Sequence, residues 1–600
     1  MYDLIIENAN ITDGSGAPSY QADLAIEKGQ IAAIGDLKAE KSKRRIRAEG
    51  RYLTPGLIDM HSHADLELIR FPDAENLLGQ GITTVFAGHC GMGMAPVGDY
   101  WKTQMDDLYA IEDFYPLGSI AGYPGVTPAV PSTAMRRAYE KYYGIPMDWT
   151  TFGDYMERLK KQGLGVNLVE EAGLQQIRQT VLGQDIDRPA TPEEIEQMKQ
   201  LVAEAMEHGA RGLSIGYDYT PDMYASTEEL EALIREAGRC GGIITAHTRT
   251  DHPDREDWTF ADGIREFLDI CLRCGVHAHI SHICPNHLAG DYSQEEVDTS
   301  AEEILQLLEE YRGRAAAQGS SLKITWDVLH PEAASFYFNP DLAAPFQYYI
   351  LTCGGKQQFS RRLQEPAYRS SFLQRIRQKK HLTFPRIETA AVITSCSRTD
   401  LVGKSIDAIA GERGCDACEV IADLLALDIE TRVRTAMPWE RLCNTDVYWK
   451  REEAAIGTDN GAVNYDFEGR RPELPSFRMP PSAYCGFILF LQQAMEKGMS
   501  FEAAIRRLTG NAADILGLTD RGRIAVGAQA DLVLWDLEQL DPCRSFIDPR
   551  QRPKGPELVL VNGQIAVEKG RHTHGRSGQL LTQTTGAESV RHVNLREEEA

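Results

Sequence analysis

The stretch GLIDMHSHADL (56–66) sets His61 and His63 one residue apart, directly after an apolar run and ahead of an acidic residue. Such a pair can hold a metal ion, but it is also ordinary in a polar loop, so its chemistry depends on partners elsewhere. Candidates stand at the ends of other apolar runs: Cys90 in TTVFAGHC, His247 in GIITAHTR, His282 in HAHISHI and Asp459 in AAIGTDN. Imidazole, thiolate and carboxylate together suit zinc better than magnesium or calcium, which prefer oxygen. A catalytic zinc site keeps one coordination position for water and lowers that water's pKa toward ~7. A carboxylate not committed to the metal can then pass the water's proton to a leaving amine, a role that suits Asp459.

These residues need elements that bring them together. Eight short apolar runs read as strands: 57–61, 83–90, 165–170, 212–219, 242–249, 277–283, 322–331 and 454–460. Helical text lies between several of them, as at 191–209 and 226–242, where Thr191 and Ser226 are N-caps followed by first-turn glutamates. Eight strands alternating with helices predict the α/β class and a (β/α)8 TIM-type barrel, with an open doubly wound sheet as the alternative. In a barrel the carboxyl ends of the strands converge on one mouth. There the two histidines, Cys90, His247, His282 and Asp459 would meet.

The two ends of the chain read differently. Residues 1–55 and 516–573 carry apolar alternation, Gly turns and little helix, which predicts a small β-sandwich domain formed by both chain ends. The barrel then occupies 56–515, with insertions near 98–150 and 332–385 that follow strand ends and are placed to form lids. Residues 574–600 lack periodicity and are expected to be a mobile tail.

Sixty-three Lys and Arg against 88 Asp and Glu leave a net charge of −25 in 600 residues, which argues against nucleic acid or an anionic membrane as partner. No apolar stretch reaches the ~18 residues that would span a bilayer. The N-terminus reads straight into a strand, and 12 cysteines are too sparse for a disulfide scaffold, so a cytoplasmic protein acting on a small molecule is expected. Cys271-x-x-Cys274 and Cys415-x-x-Cys418 lie in helix-like text without nearby partners and read as plain thiols. His89 points the other way from Cys90 along its strand and reads as structural or as a support behind the ligands, and His279 reads as a core histidine, with a place behind the ligands as the alternative. Arg249 fits either a bidentate clamp on a substrate carboxylate or a structural salt bridge.

The chain also resembles the amidohydrolase superfamily, and within it the D-aminoacylases. The resemblance is carried by PGLIDMHSHADL (55–66), GITTVFAGHCGMGMAP (81–96), the text from Gly209 to Arg249, ISHI (280–283), IGTDN (456–460) and the segment from Leu508 to Asp536. It implies a (β/α)8 barrel with zinc in its mouth and a small β-domain. It further implies Cys90, His247 and His282 as ligands of a tightly bound zinc, and His61 and His63 as a second, weaker metal position. Asp459 would be the catalytic acid/base, and Tyr219, in Y-x-P text after the fourth strand, would contact substrate or a developing oxyanion. The implied reaction is zinc-dependent hydrolysis of a linear amide, releasing a carboxylate and a free D-amino acid from an N-acyl-D-amino acid. The D configuration rests on the resemblance alone.

Three segments depart from the D-aminoacylase pattern. Cys284 stands where the family often has a lysine for the substrate carboxylate, Gly173-Leu174 replaces Gly-His, and PPSAYCGFILFL (480–491) replaces the usual text after the aspartate. A cyclic amidase of the hydantoinase or dihydropyrimidinase type is the first alternative; it would be expected to carry a metal-bridging lysine, against which Cys90 argues. A dipeptidase-like hydrolase is the second. A non-catalytic metal-binding relative is opposed by the intact ligand set and Asp459.

Overall fold

The computed structural model describes residues 1–102, 129–250, 258–284, 294–329, 342–343, 346–377, 391–435, 446–467, 479–545, 548–582 and 591–592. Its centre is a ring of parallel strands, each nearly all buried because helices cover the outside and side chains fill the inside. The strands are β1 (Leu57–Ser62), β2 (Ile82–Ala87), β3 (Asn167–Glu170, resuming as Ala172–Gly173) and β4 (Gly212–Gly216). They continue as β5 (Ile243–His247), β6 (His277–Ile280), β7 (Lys323–Leu329) and β8 (Ala454–Gly457). Each pairs in parallel with the next along the chain. A Ser62–Asn460 bridge closes β8 onto β1, helped by the Asp459 N–H donating to the His61 carbonyl at 2.7 Å.

All eight strands expected from the sequence are present, but most end earlier than their apolar text does. The run 83–90 leaves the sheet after Ala87, 212–219 after Gly216 and 277–283 after Ile280. Beyond those points the chain stays buried because it folds into the barrel mouth, so apolarity outlasts pairing. The helices Pro192–Glu207 and Thr227–Arg239 start at the expected caps, with Thr191 accepting from Glu194 N–H and Ser226 from Glu229 N–H.

The chain ends meet in one nine-stranded sheet. Tyr52–Pro55 runs antiparallel to Leu532–Trp535 and joins the N-terminal strands to the C-terminal ones. Alternation divides its residues: Leu532, Leu534, Leu558 and Leu560 share a core with Leu4, Ile6, Leu24 and Ile26, whereas Val533, Trp535, Val559 and Val561 face the barrel. The sheet curls far enough for Gln30 to bridge to Gln529.

Two expectations need correction. The region 574–600 is not uniformly a tail. Gly578 N–H donates to the Leu164 carbonyl at 2.7 Å, Leu168 N–H donates to the Gln579 carbonyl at 2.9 Å, and Leu580 and Leu581 are 4% and 1% exposed. A two-leucine plug is too short to show periodicity, yet it fills the groove beside β3. A Cβ at Gly578 would lie 2.0 Å from the Val166 carbonyl oxygen, so only glycine lets the chain in. The rest of the expected tail, 583–590 and 593–600, lies outside the described residues. Replacing Leu580 and Leu581 together by alanine is expected to lower the thermal midpoint, each truncation costing about 2–5 kcal/mol. An unchanged midpoint in a thermal melt would remove this packing assignment.

The insertion after β7 is also longer than 332–385. Within that span, Gln347–Cys353, Lys356–Arg362 and Pro366–Arg377 are helical. The same core continues through the hairpin of Ala391–Ser395 with Arg432–Thr435 and the helices Ile406–Arg413 and Ala417–Leu427. Phe346, Phe359, Phe372, Ile393, Ile421 and Leu425 fill it. Strand and helix alternate in 391–435 as they do in the barrel, so the sequence offers no visible boundary there. Of the insertion expected at 98–150, residues 103–128 lie outside the described residues, and Ser132–Tyr143 is a helix. No helix among the described residues is long and apolar enough to cross a membrane.

Candidate metal centre

The barrel mouth brings together the five residues expected as metal ligands and Asp459, expected as the acid/base. Cys90, His247 and His282 form one group and His61, His63, Cys90 and Asp459 a second, each with its donor atoms within 4.8 Å of one another. Cys90 belongs to both. Its Sγ lies 3.5 Å from His61 Nε2, 3.8 Å from His247 Nδ1 and 3.6 Å from His282 Nε2. Asp459 Oδ1 lies 2.9 Å from His63 Nε2 and 3.4 Å from His61 Nε2. Zinc bonds of ~2.0–2.1 Å to nitrogen and ~2.3 Å to sulfur set donor–donor edges of about 3.3–3.6 Å in a tetrahedron. The sulfur–nitrogen separations lie at or just above that span, while His247 Nδ1 and His282 Nε2 are closer, at 2.8 Å; the donor types suit one zinc ion per group, with His247 and His282 spreading apart to bind it.

Backbone conformation aims these side chains. Cys90, His282 and Asp459 have φ of 56°, 35° and 53°, a left-handed turn directly after a strand that swings each donor over the barrel axis. The Cys90 turn is held from outside: Gln175 Nε2 donates to its carbonyl at 2.7 Å, and Gly91 N–H donates to Ser214 Oγ at 2.8 Å. Gly216 must lack a side chain, because a Cβ there would sit 2.3 Å from the Cys90 oxygen.

Carboxylates behind the histidines select which ring nitrogen faces the centre. His61 Nδ1 is 3.0 Å from Asp327 Oδ2, which leaves Nε2 inward. His247 Nε2 is 3.2 Å from Asp218 Oδ2, which leaves Nδ1 inward, and Asp218 is itself held by Thr250 N–H at 3.0 Å. Burial pushes the Cys90 thiol up, but the charge of His61 and hydrogen bonds from three histidines outweigh it, so the group lies well below the ordinary thiol range. Burial pulls His63 down, yet Asp459 and Cys90 raise it to about 10. For His247 the same contest, with Asp218 and Cys90 raising it, ends at about 9. Burial likewise opposes ionisation of Asp459, and the neighbouring His61 and His63 hold its carboxyl well below the usual range.

Tyr219 joins the site: its hydroxyl is 3.4 Å from His247 Nδ1. Arg249 does not. It is 7% exposed, its Nε donates to Glu266 at 3.0 Å and its guanidinium lies 5.5 Å from the Tyr217 ring centroid, so of its two expected forms the salt bridge is present. His89 stacks on His61 with centroids 4.2 Å apart rather than facing away, because its strand has ended at Ala87 and strand alternation no longer applies. Cys271, Cys274, Cys415 and Cys418 belong to no donor group among the described residues.

Sequence reasoning missed Asp218, Asp327, Asp59 and Gln175. The available signal was an aspartate inside apolar text, as in TWDVL and LIDMH, since a buried charge must find a partner. Asp59 finds Thr458, whose N–H and hydroxyl donate to it at 2.9 and 2.6 Å.

The amidohydrolase family profile matches residues 45–253 and 492–567. An N-acyl-D-glutamate deacylase of Alcaligenes xylosoxydans xylosoxydans is 26% identical over 595 residues, covering 96% of each chain. A D-aminoacylase of the same organism is 26% identical over 587 residues, covering 97% of this chain and 98% of the other. Among solved structures, an N-acyl-D-glutamate deacylase from Bordetella bronchiseptica, complexed with zinc and a phosphonate inhibitor, shares the fold with a TM-score of 0.66. It is 24% identical, and the match spans 97% of this chain and 100% of that one.

Proposed function

We propose that this chain, whose residues 45–253 and 492–567 match the amidohydrolase family profile, is an amidohydrolase: a zinc-dependent hydrolase deacylating N-acyl-D-amino acids to a carboxylate and a free D-amino acid. The observation that carries this reading is that Cys90 is shared by two donor groups, with Asp459 beside them at 2.9 Å from His63. The deacylase names of relatives that align along almost the whole chain support the substrate class. Cys90, His247 and His282 would hold the tighter zinc, and His61 and His63 a weaker one.

A zinc ion bound at these donors would supply Lewis acidity for the amide carbonyl and for a water that attacks near neutral pH. Asp459 starts ionised, so its carboxylate takes a proton from the attacking water as the new C–O bond forms. It then gives that proton to the nitrogen as the C–N bond breaks, and the amine leaves. The Tyr219 hydroxyl stands beside His247 to donate to the carbonyl oxygen as charge develops there. Asp218 and Asp327 keep the imidazoles aimed throughout.

The reading extends to the rest of the molecule. The curled sheet of both chain ends is the small sandwich domain flanking the barrel, and the described cysteines, all thiols, fit a reducing cytoplasm. The test is amine release from matched D and L panels of N-acyl amino acids by zinc-loaded protein. Turnover confined to the D series supports the proposal; no turnover in either series with zinc bound sinks it and turns attention to cyclic amides and dipeptides.

A further inference from the structure

Below the mouth, the barrel lumen would ordinarily be filled by layers of branched apolar side chains. Here β6 and β7 instead place His279, Thr325 and Asp327 there, all buried, with half-buried His277 at the foot. They form a continuous chain. His277 Nε2 and His279 Nδ1 are each 2.8 Å from Thr325 Oγ1, His279 Nε2 is 3.1 Å from Asp327 Oδ2, and His61 Nδ1 reaches the same oxygen at 3.0 Å. The other oxygen, Asp327 Oδ1, accepts the backbone N–H of His282 at 2.8 Å.

A carboxylate only accepts, so His61 Nδ1 and His279 Nε2 carry hydrogens. With His279 neutral, its Nδ1 takes the Thr325 hydroxyl hydrogen, which leaves the Thr325 oxygen to accept from His277 Nε2. A zinc ion at His61 would displace the hydrogen from Nε2, whose lone pair faces Cys90 and Asp459. His282, whose φ of 35° is the most constrained of the donor residues, is pinned by its amide.

We propose that Asp327 is a positioning residue that binds the two donor groups into one centre: one oxygen sets the tautomer of His61 in the second group, and the other fixes the backbone of His282 in the first. Thr325 and His279 hold the carboxylate in the orientation that does both. The proposal rests on the reading of this centre as a zinc site. Asp218 differs, since among the donors it contacts His247 alone.

Asp327→Asn keeps the size but replaces one acceptor by an amide donor. If the amide faces His61, that ring must shift its hydrogen to Nε2 and lose the lone pair aimed at the metal; if it faces His282, the backbone pin is lost. The experiment titrates zinc into full-length protein against a chromophoric chelator, reading both equivalents, beside thermal melts without metal. Asp327→Ala, which removes both acceptor oxygens, is expected to weaken both zinc positions about 10–100-fold, Asp327→Asn the position its amide faces, and Asp218→Asn only the position containing His247. A loss confined to one position in Asp327→Ala, or a lowered melt with unchanged affinities, would overturn the proposal, the latter marking a purely structural role. Should Asp327→Ala fail to fold, Thr325→Val must weaken both positions and Thr325→Ser restore them; a valine variant with wild-type affinities also overturns it. Wild-type protein that binds no zinc would instead remove the zinc centre itself, a separate result that takes this proposal with it.

Discussion

Asp459→Asn is expected to lower kcat about 10²–10⁴-fold, the usual contribution of a positioned acid/base, while leaving the first zinc in place. The asparagine has the same shape and keeps an acceptor oxygen for His63, which now stands 2.9 Å from the carboxylate. What it loses is the ability to take a proton. Asp459 is absent from the Cys90, His247 and His282 group, so the affinity of that position for zinc should stay within a few-fold of wild type. Steady-state kinetics on the best D substrate, with zinc content measured on the same samples, separates the two effects. Activity within tenfold of wild type would remove Asp459 from the proton transfer. Lost activity accompanied by lost zinc would mean that the aspartate acts as a ligand.

The barrel was legible in the sequence for a simple reason. A strand buried on both faces is a continuous apolar run, and eight such runs alternate here with capped helices. The mouth was harder to read, because Cys90 and His247 are themselves buried and the apolar text gives no sign of where the sheet stops. His89 shows the consequence. Strand alternation turned it away from the site, yet the chain has already left the strand, and the left-handed turn at Cys90 brings its neighbour against His61.

The candidate donors could be picked out because each ends an apolar run; the residues that aim them could not. Asp327 reaches His61 across 266 residues of sequence, and only the barrel's register brings the two together. Before that register is known, an aspartate in TWDVL is a misfit without a partner. Arg249 failed in the opposite way. Its type suits a carboxylate clamp, but Glu266, one helix later, satisfies it first. Residue type limits what a side chain can do, and neighbours in space decide which of those things it does.

Cys90→Ala is expected to impair both metal positions at once. If apparent zinc affinities of about 10–16 kcal/mol are divided among roughly four donors, one donor accounts for about 2.5–4 kcal/mol, or roughly 10²–10³-fold in affinity. Cys90→Ser should fare little better, since its hydroxyl does not ionise near neutral pH. A second consequence separates a ligand from a merely packed thiol. At pH 7 the protons on His63 and His247, whose pKa values are raised to about 10 and 9, must leave before zinc binds. Wild-type affinity therefore rises with pH through this range and falls as the solution is acidified. The Cys90 thiolate is one of the groups holding those protons, so in Cys90→Ala both histidines titrate lower and the pH dependence flattens. Chelator competition between pH 6 and pH 9, chosen to span this range, reads both effects. Weaker affinity with an unchanged pH slope would mean that Cys90 only shapes the pocket; weaker affinity with a flatter slope places its sulfur at the metal.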